Sequence, residues 1–204
     1  MDRRNARRLQ IVTHVGALTP LAALTWMYWQ DRLGPVPVQA TIRLLGRYAL
    51  AFLLLSLVPT VIRAVSGFGK ILRIRRTLGL YAFLYASLHF LAFVGLDYRF
   101  DLRLIAATIA QGRREIVGLV ALGILGLLAL TSIPSFMRRL GRTWKRLHRL
   151  VYVAGGLVVL HTFWNYKEWR TWPTLAGAAL VVLLAARIPV VARLLSRCRQ
   201  LRPF

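Results

Sequence analysis

Acidic residues are the scarcest chemistry in this chain: six Asp and Glu stand against 29 Lys and Arg in 204 residues. They lie in the N-terminal tail or between apolar runs, so paired-carboxylate catalysis and proton relays inside a membrane have no raw material. Cysteine occurs once, at Cys198. That excludes an intramolecular disulfide, a CxxC redox pair and covalent CxxCH attachment of a haem. Neither a GxxxxGK[ST] nor a GxGxxG run is present, so no nucleotide-phosphate cradle is legible. Alternating apolar and polar residues are also missing; the apolar runs are long and rich in Leu and Ala, which disfavours barrel strands.

What is abundant is apolar surface and positive charge. Hydrophobic residues make up 57% and the mean hydropathy is +0.56, well beyond a soluble domain. The expected fold class is all-α, a six-helix transmembrane bundle forming one domain over 1–204, with spans at about 12–29, 44–62, 77–96, 116–133, 147–164 and 172–191. An arginine-rich start precedes the first run, which is longer than a signal-peptide core and lacks a small-x-small site, so it is read as an uncleaved span. The net charge of +23 admits nucleic acid, anionic lipid or an acidic partner. Its placement between apolar runs favours lipid headgroups, and the lack of a basic domain or aromatic RNA-binding motif argues for no nucleic acid.

Nineteen basic residues fall in the N-terminal tail, segments 63–76 and 138–149, and the C-terminal tail; nine fall in the opposite loops. The positive-inside rule then puts both termini in the cytoplasm. The tail after Val191 is too short for a nucleotide-binding domain, so reducing equivalents would come from another molecule. Arg187, inside the sixth run, is expected to snorkel toward the cytoplasmic interface. Gly118, Gly123 and Gly126 suggest that the fourth span is scaffold, packed closely through small residues.

Four histidines remain as candidate ligands: His14, His89, His148 and His161. A histidine inside a membrane span is costly, and it is retained either for function or for a hydrogen bond between helices. Spans 3 and 5 run in the same direction, and at 1.5 Å per residue His89 lies ~18 Å above the start of one and His161 ~21 Å above the start of the other. Two imidazoles at one depth on two helices are what a six-coordinate haem requires, and such ligation suits electron transfer because no iron site is left open. The competing possibility is a buried pair with purely structural hydrogen bonds.

His148 stands at the basic entrance of the fifth run. On a straight helix it would sit about 140° around from His161, so the two would not share a face. His14 is the other imidazole expected near that inner depth. An inner-haem role for His148 and His14 stands beside a plain interfacial one.

The run Arg75-Arg76-Thr77-Leu78-Gly79-Leu80 followed by His89, and the run Leu140-Gly141-x-x-Trp144-x-x-Leu147-His148-x-x-x-Tyr152 followed by His161 and Trp164, together resemble the MsrQ (YedZ) family. This is the haem-binding membrane subunit of the protein-methionine-sulfoxide reductase system, within the ferric reductase-like transmembrane superfamily. The resemblance implies a bacterial inner-membrane, multi-pass protein that binds haem b. It would pass electrons from a cytoplasmic flavin reductase or membrane quinol to a periplasmic molybdopterin-containing MsrP-like reductase, where the sulfoxide is reduced. FMN is implied by the resemblance only. His89 and His161 correspond to the paired haem ligands and His148 to a further histidine. Span 3 carries one histidine where the NADPH oxidases of the superfamily carry two, which argues against a full two-haem stack. A ferric-chelate metalloreductase of the same superfamily and a non-redox helical membrane protein are the alternative readings.

Overall fold

The computed structural model describes residues 3–165 and 171–187. Every regular element among them is helical: α1 Arg3–Trp29, α2 Pro37–Ser66, a 3-10 turn Gly69–Ile71, α3 Leu72–Ala92, α4 Leu102–Gln111, α5 Arg113–Leu130, α6 Pro134–Leu147, α7 Leu150–Asn165 and α8 Thr171–Ala185. The boundaries follow local chemistry. Pro37 opens α2, where its missing N–H and fixed φ cost nothing. Gly67 closes it at φ 72°, a left-handed position that glycine takes without a Cβ clash.

α2 and α3 form a tight antiparallel pair. Their shared core, with Leu45, Ala49, Phe52, Leu53, Ala82 and Tyr85 buried, is joined by Ala17 of α1, Leu125 of α5 and Ala154 of α7. Small residues at Ala49, Ala82 and Ala154 let the backbones approach, which is how helices associate where lipid removes the hydrophobic driving force. Leu91, Leu130, Val153, Val181 and Val182 project outward, as a lipid-facing surface requires. α3 ends in a π-helical segment, Phe93–Asp97, just past His89. Asp97 there accepts a hydrogen bond from the Gln39 amide at 2.8 Å, tying this end of α3 to the start of α2.

Three helical stretches, Arg7–Trp29, Pro37–Ser66 and Gly69–Asp97, are long and apolar enough to cross a bilayer, and α5 with α6 makes a fourth if that pair, bent by 107°, counts as one span. α7 and α8 are apolar but number 16 and 15 residues in the described part, short of the about 20 that a straight span needs. Six spanning helices are therefore not all present among the described residues. Lys167, Arg170, Cys198 and the expected end of the sixth span lie outside them.

Two expectations need correction. Residues 138–149, read as a basic loop, form most of α6, which turns away from α5 after Pro134 and breaks at Gly141 (φ 48°, ψ −119°). Its many Arg and Lys with Phe136, Leu140 and Trp144 suit a helix lying in the headgroup region. His148 accordingly sits in the turn after α6, and the helix that carries His161 begins only at Leu150. The expectation of both histidines on one straight helix, and of a fixed angle between them, fails because the basic entrance belongs to α6, which ends at Leu147. The stretch between the third and fourth expected spans is itself structured. It contains α4, capped by Asp101, whose Oδ1 accepts from the Leu104 amide at 3.0 Å, and the first turn of α5.

Arg187 does not snorkel outward. Its Nη2 donates to the Leu57 carbonyl oxygen of α2 at 2.8 Å, its Nη1 donates to the Tyr152 hydroxyl, and its guanidinium lies 5.1 Å from the centre of the Tyr152 ring. A planar fork with several donors can reach a carbonyl and a ring at once, although the buried Arg187 Nε finds no partner here.

Candidate functional site

His89 lies in the last turn of α3 and His161 near the end of α7. Their ring centroids are 6.2 Å apart and the ring planes stand at 85°. Each imidazole is anchored by a backbone carbonyl from a neighbouring helix: His89 Nδ1 lies 2.8 Å from Ile42 O of α2, and His161 Nδ1 lies 2.9 Å from Arg114 O of α5. A carbonyl oxygen can only accept, so both Nδ1 atoms carry the proton and donate. Both Nε2 atoms therefore keep a lone pair, the state needed to bind a metal. On His161 that lone pair faces the Asn165 amide, whose nitrogen lies 3.3 Å from Nε2 and also donates to His161 O at 2.8 Å.

At this spacing a metal-bearing group could be held by both rings, each offering Nε2 to it.

A cavity of about 460 Å³ opens beside both histidines. Its inner wall is apolar, with Leu53, Ala86, Leu122, Leu125 and Val158, and its other side carries Arg43, Arg47, Arg114 and Glu115. Arg43 and Arg114 are exposed and Arg47 is half-buried. Arg114 pairs with Glu115. The cavity is thus lined by two imidazoles, an apolar stretch and several arginines.

The other two histidines are held apart from this pair. His148 lies against Trp144 with ring centres 4.1 Å apart, and its Nε2 is 3.2 Å from Thr131 Oγ1. Trp144 Nε1–H donates to Thr131 O at 2.9 Å, so His148 and Trp144 together close the corner between α5 and α6. Burial, and then the charge of Arg75, lower the His148 pKa. His14, exposed on α1, meets the Tyr81 hydroxyl through Nδ1 at 2.8 Å. Among the described residues no ring contact joins His14 to His148, and each has its own partner on a different helix. Replacing His148 with Ala is expected to leave the optical signal of a group held by His89 and His161 unchanged. Loss of that signal in His148→Ala, measured on purified protein of normal helicity, would contradict the separation of the two regions.

Sequence reasoning brings His89 and His161 to one depth but misses what holds them. The two carbonyl acceptors carry no side-chain signal. Arg114 and Glu115 read as loop residues outside the fourth span, whereas α5 starts at Arg113 and turns both toward the cavity. Gly118 reads as a helix-packing residue; a Cβ built there would lie 2.8 Å from His161 Nδ1.

The comparisons with known proteins agree with one another. Residues 45–159 match the family model described as ferric reductase like transmembrane component. The chain is 42% identical over 183 residues to the protein-methionine-sulfoxide reductase heme-binding subunit MsrQ of Xanthomonas euvesicatoria pv. vesicatoria, covering 87% of this chain and 84% of that protein. It is 36% identical to the MsrQ of Bordetella pertussis, with 89% of each chain covered. The matched segment runs from within α2 to within α7, and the chain belongs to the ferric reductase-like transmembrane family and, within it, to the MsrQ heme-binding subunits.

Proposed function

We propose that this chain is a haem b-binding electron-transfer subunit of a methionine sulfoxide reductase system, with His89 and His161 as the two axial ligands of its haem. The observation that carries the reading is the pair of imidazoles 6.2 Å apart, each with Nδ1 committed to a carbonyl so that Nε2 holds the lone pair a metal takes, the one on His161 lying 3.3 Å from the Asn165 amide nitrogen. A bare metal ion suits this donor set poorly, since among the described residues no group of three or more His, Cys, Asp and Glu could hold one. Protein-held zinc, for example, takes at least three protein ligands. A macrocycle supplies the remaining in-plane donors itself.

The other residues fit the same group. The apolar part of the lining would meet the porphyrin, and the arginines of the cavity would match the carboxylates a haem carries, because a guanidinium fork pairs with a carboxylate through two bonds. When bound, the group would supply one-electron storage. The chain's own contribution is to hold the two imidazoles, fix their tautomer, offer an apolar stretch and supply positive charge.

The relatives are named heme-binding subunits, so the sulfoxide chemistry belongs on a partner. In this reading the partner is a periplasmic molybdopterin-containing MsrP-like reductase, the donor is a cytoplasmic flavin reductase or membrane quinol, and the protein lies in the bacterial inner membrane with both termini cytoplasmic. The basic interfacial helix α6 would meet anionic lipid. FMN is assigned no residues.

Protein purified from haem-replete cells should show a b-type spectrum that a flavin reductase with its nicotinamide donor, or a quinol, reduces, and that the oxidised molybdoenzyme with sulfoxide substrate reoxidises. A colourless preparation would overturn the proposal. Haem that neither donor reduces would overturn its electron-transfer part.

A further inference from the structure

Gly46 and Gly118 occupy equivalent places in two half-sites. In the first, α2 presents Ile42 O to His89 and carries Gly46 one helical turn later; a Cβ on Gly46 would lie 3.1 Å from His89 Nδ1 and 3.2 Å from Cε1. In the second, α5 presents Arg114 O to His161 and carries Gly118 one turn later; a Cβ on Gly118 would lie 2.8 Å from both Nδ1 and Cε1. Each carbonyl precedes its histidine by 47 residues. The interval from each glycine to its histidine is likewise the same, although one hairpin turns through a short 3-10 segment and the other through the whole of α6.

The reason for glycine is local. In an α-helix the carbonyl at position i already accepts from the amide at i+4, which here is the glycine itself. A second donor can use the other lone pair only by lying flat across the turn, over the Cα of i+4. A side chain there would occupy that space. We infer that Gly46 and Gly118 are positioning residues of two copies of one ligand-holding device, carbonyl at i and glycine at i+4, which fixes the tautomer, ring plane and basicity of each imidazole. The inference rests on the proposed haem site for its spectroscopic consequence, while its structural claim concerns the Nδ1 bonds alone.

The test compares Gly118→Ala and Gly46→Ala with Gly123→Ala on the same helix as Gly118, where a Cβ meets nothing within 4 Å. Alanine is the better helix former, so an intrinsic backbone penalty is not expected in any of them. Gly118→Ala should raise the haem midpoint potential, since a ligand that loses its carbonyl partner becomes a weaker donor to ferric iron, and should weaken haem retention by about 10–100-fold. Gly46→Ala, with its longer contacts, should shift both in the same direction but less, and Gly123→Ala should match wild type. A Gly118→Ala protein of normal helicity and melting temperature with unchanged potential and haem retention would overturn the inference. If Gly118→Ala does not fold, Gly46→Ala decides, and its identity with Gly123→Ala would be the contrary result. Histidine-selective 15N NMR of the full chain before haem loading separates the two levels of claim. Loss of the Nδ1-protonated signal of His161 in Gly118→Ala supports the device even if wild type proves colourless, whereas an unchanged tautomer overturns it even if the haem is present.

Discussion

Changing His89 or His161 to Ala is expected to abolish the low-spin b-type spectrum and, with it, electron transfer to the reductase partner. The ring centres lie 6.2 Å apart across α3 and α7, so either deletion leaves a single imidazole at the cavity. Haem affinity should fall by more than the roughly 10–100-fold that follows loss of a group hydrogen-bonded to a ligand. Residual haem should be high-spin. Apoprotein yield and helicity are expected to stay close to wild type, because neither histidine is among the fully buried core side chains. Optical spectra of the reduced proteins, normalised to helical signal, provide the measurement. A low-spin spectrum retained in full by either variant would remove that residue from the ligand pair.

The largest expected effect on stability belongs to Tyr85. It is 0% exposed, stacks on Phe52 with ring centres 5.1 Å apart and planes at 16°, and meets Tyr48 edge-on at 5.7 Å. Its hydroxyl donates to Ala17 O at 2.7 Å and so ties α1 to the α2–α3 pair. Tyr85→Ala would open a cavity where three helices meet and should cost about 3–5 kcal/mol, the range for deleting a buried aromatic ring. Tyr85→Phe keeps the ring and removes one hydrogen bond, so about 0.5–1.5 kcal/mol is expected. The two substitutions separate packing from the polar tie. Unfolding in detergent, followed by helical signal, should rank them in that order; equal losses would show that the hydroxyl and not the ring holds α1 in place. Tyr85 also stands one turn before His89 on α3, so the alanine variant should retain haem less well than the phenylalanine one.

The juxtaposition of His89 and His161 is legible in the sequence because helix rise turns residue number into depth, and both runs enter the membrane from the same side. The capping of α2 by Gly67 and the start of α6 at Pro134 are similarly written in residue type. What escapes is whatever depends on the backbone or on a change of axis. Ile42 and Arg114 act through carbonyls, which every residue possesses, and Gly118 reads as a packing glycine until His161 is seen lying across it. His148 adjoins an apolar stretch closely enough to be read into it, but Trp144 stacks on it and the chain turns there, so the helix bearing His161 starts two residues later. Arg187 lies near the end of an apolar run and looks like an interfacial cation; the Leu57 carbonyl and Tyr152 that hold it come from helices far away in sequence.

A single haem held by His89 and His161 would be bound by imidazoles whose planes are nearly perpendicular. Low-temperature electron paramagnetic resonance of the oxidised protein tests this claim most directly, since the relative orientation of two axial imidazoles governs the anisotropy of a low-spin ferric signal. With the rings at 85°, the expected spectrum is the highly anisotropic low-spin type, and it should vanish in both His89→Ala and His161→Ala. A high-spin signal in wild type, or a low-spin signal that persists in His161→Ala, would contradict that claim.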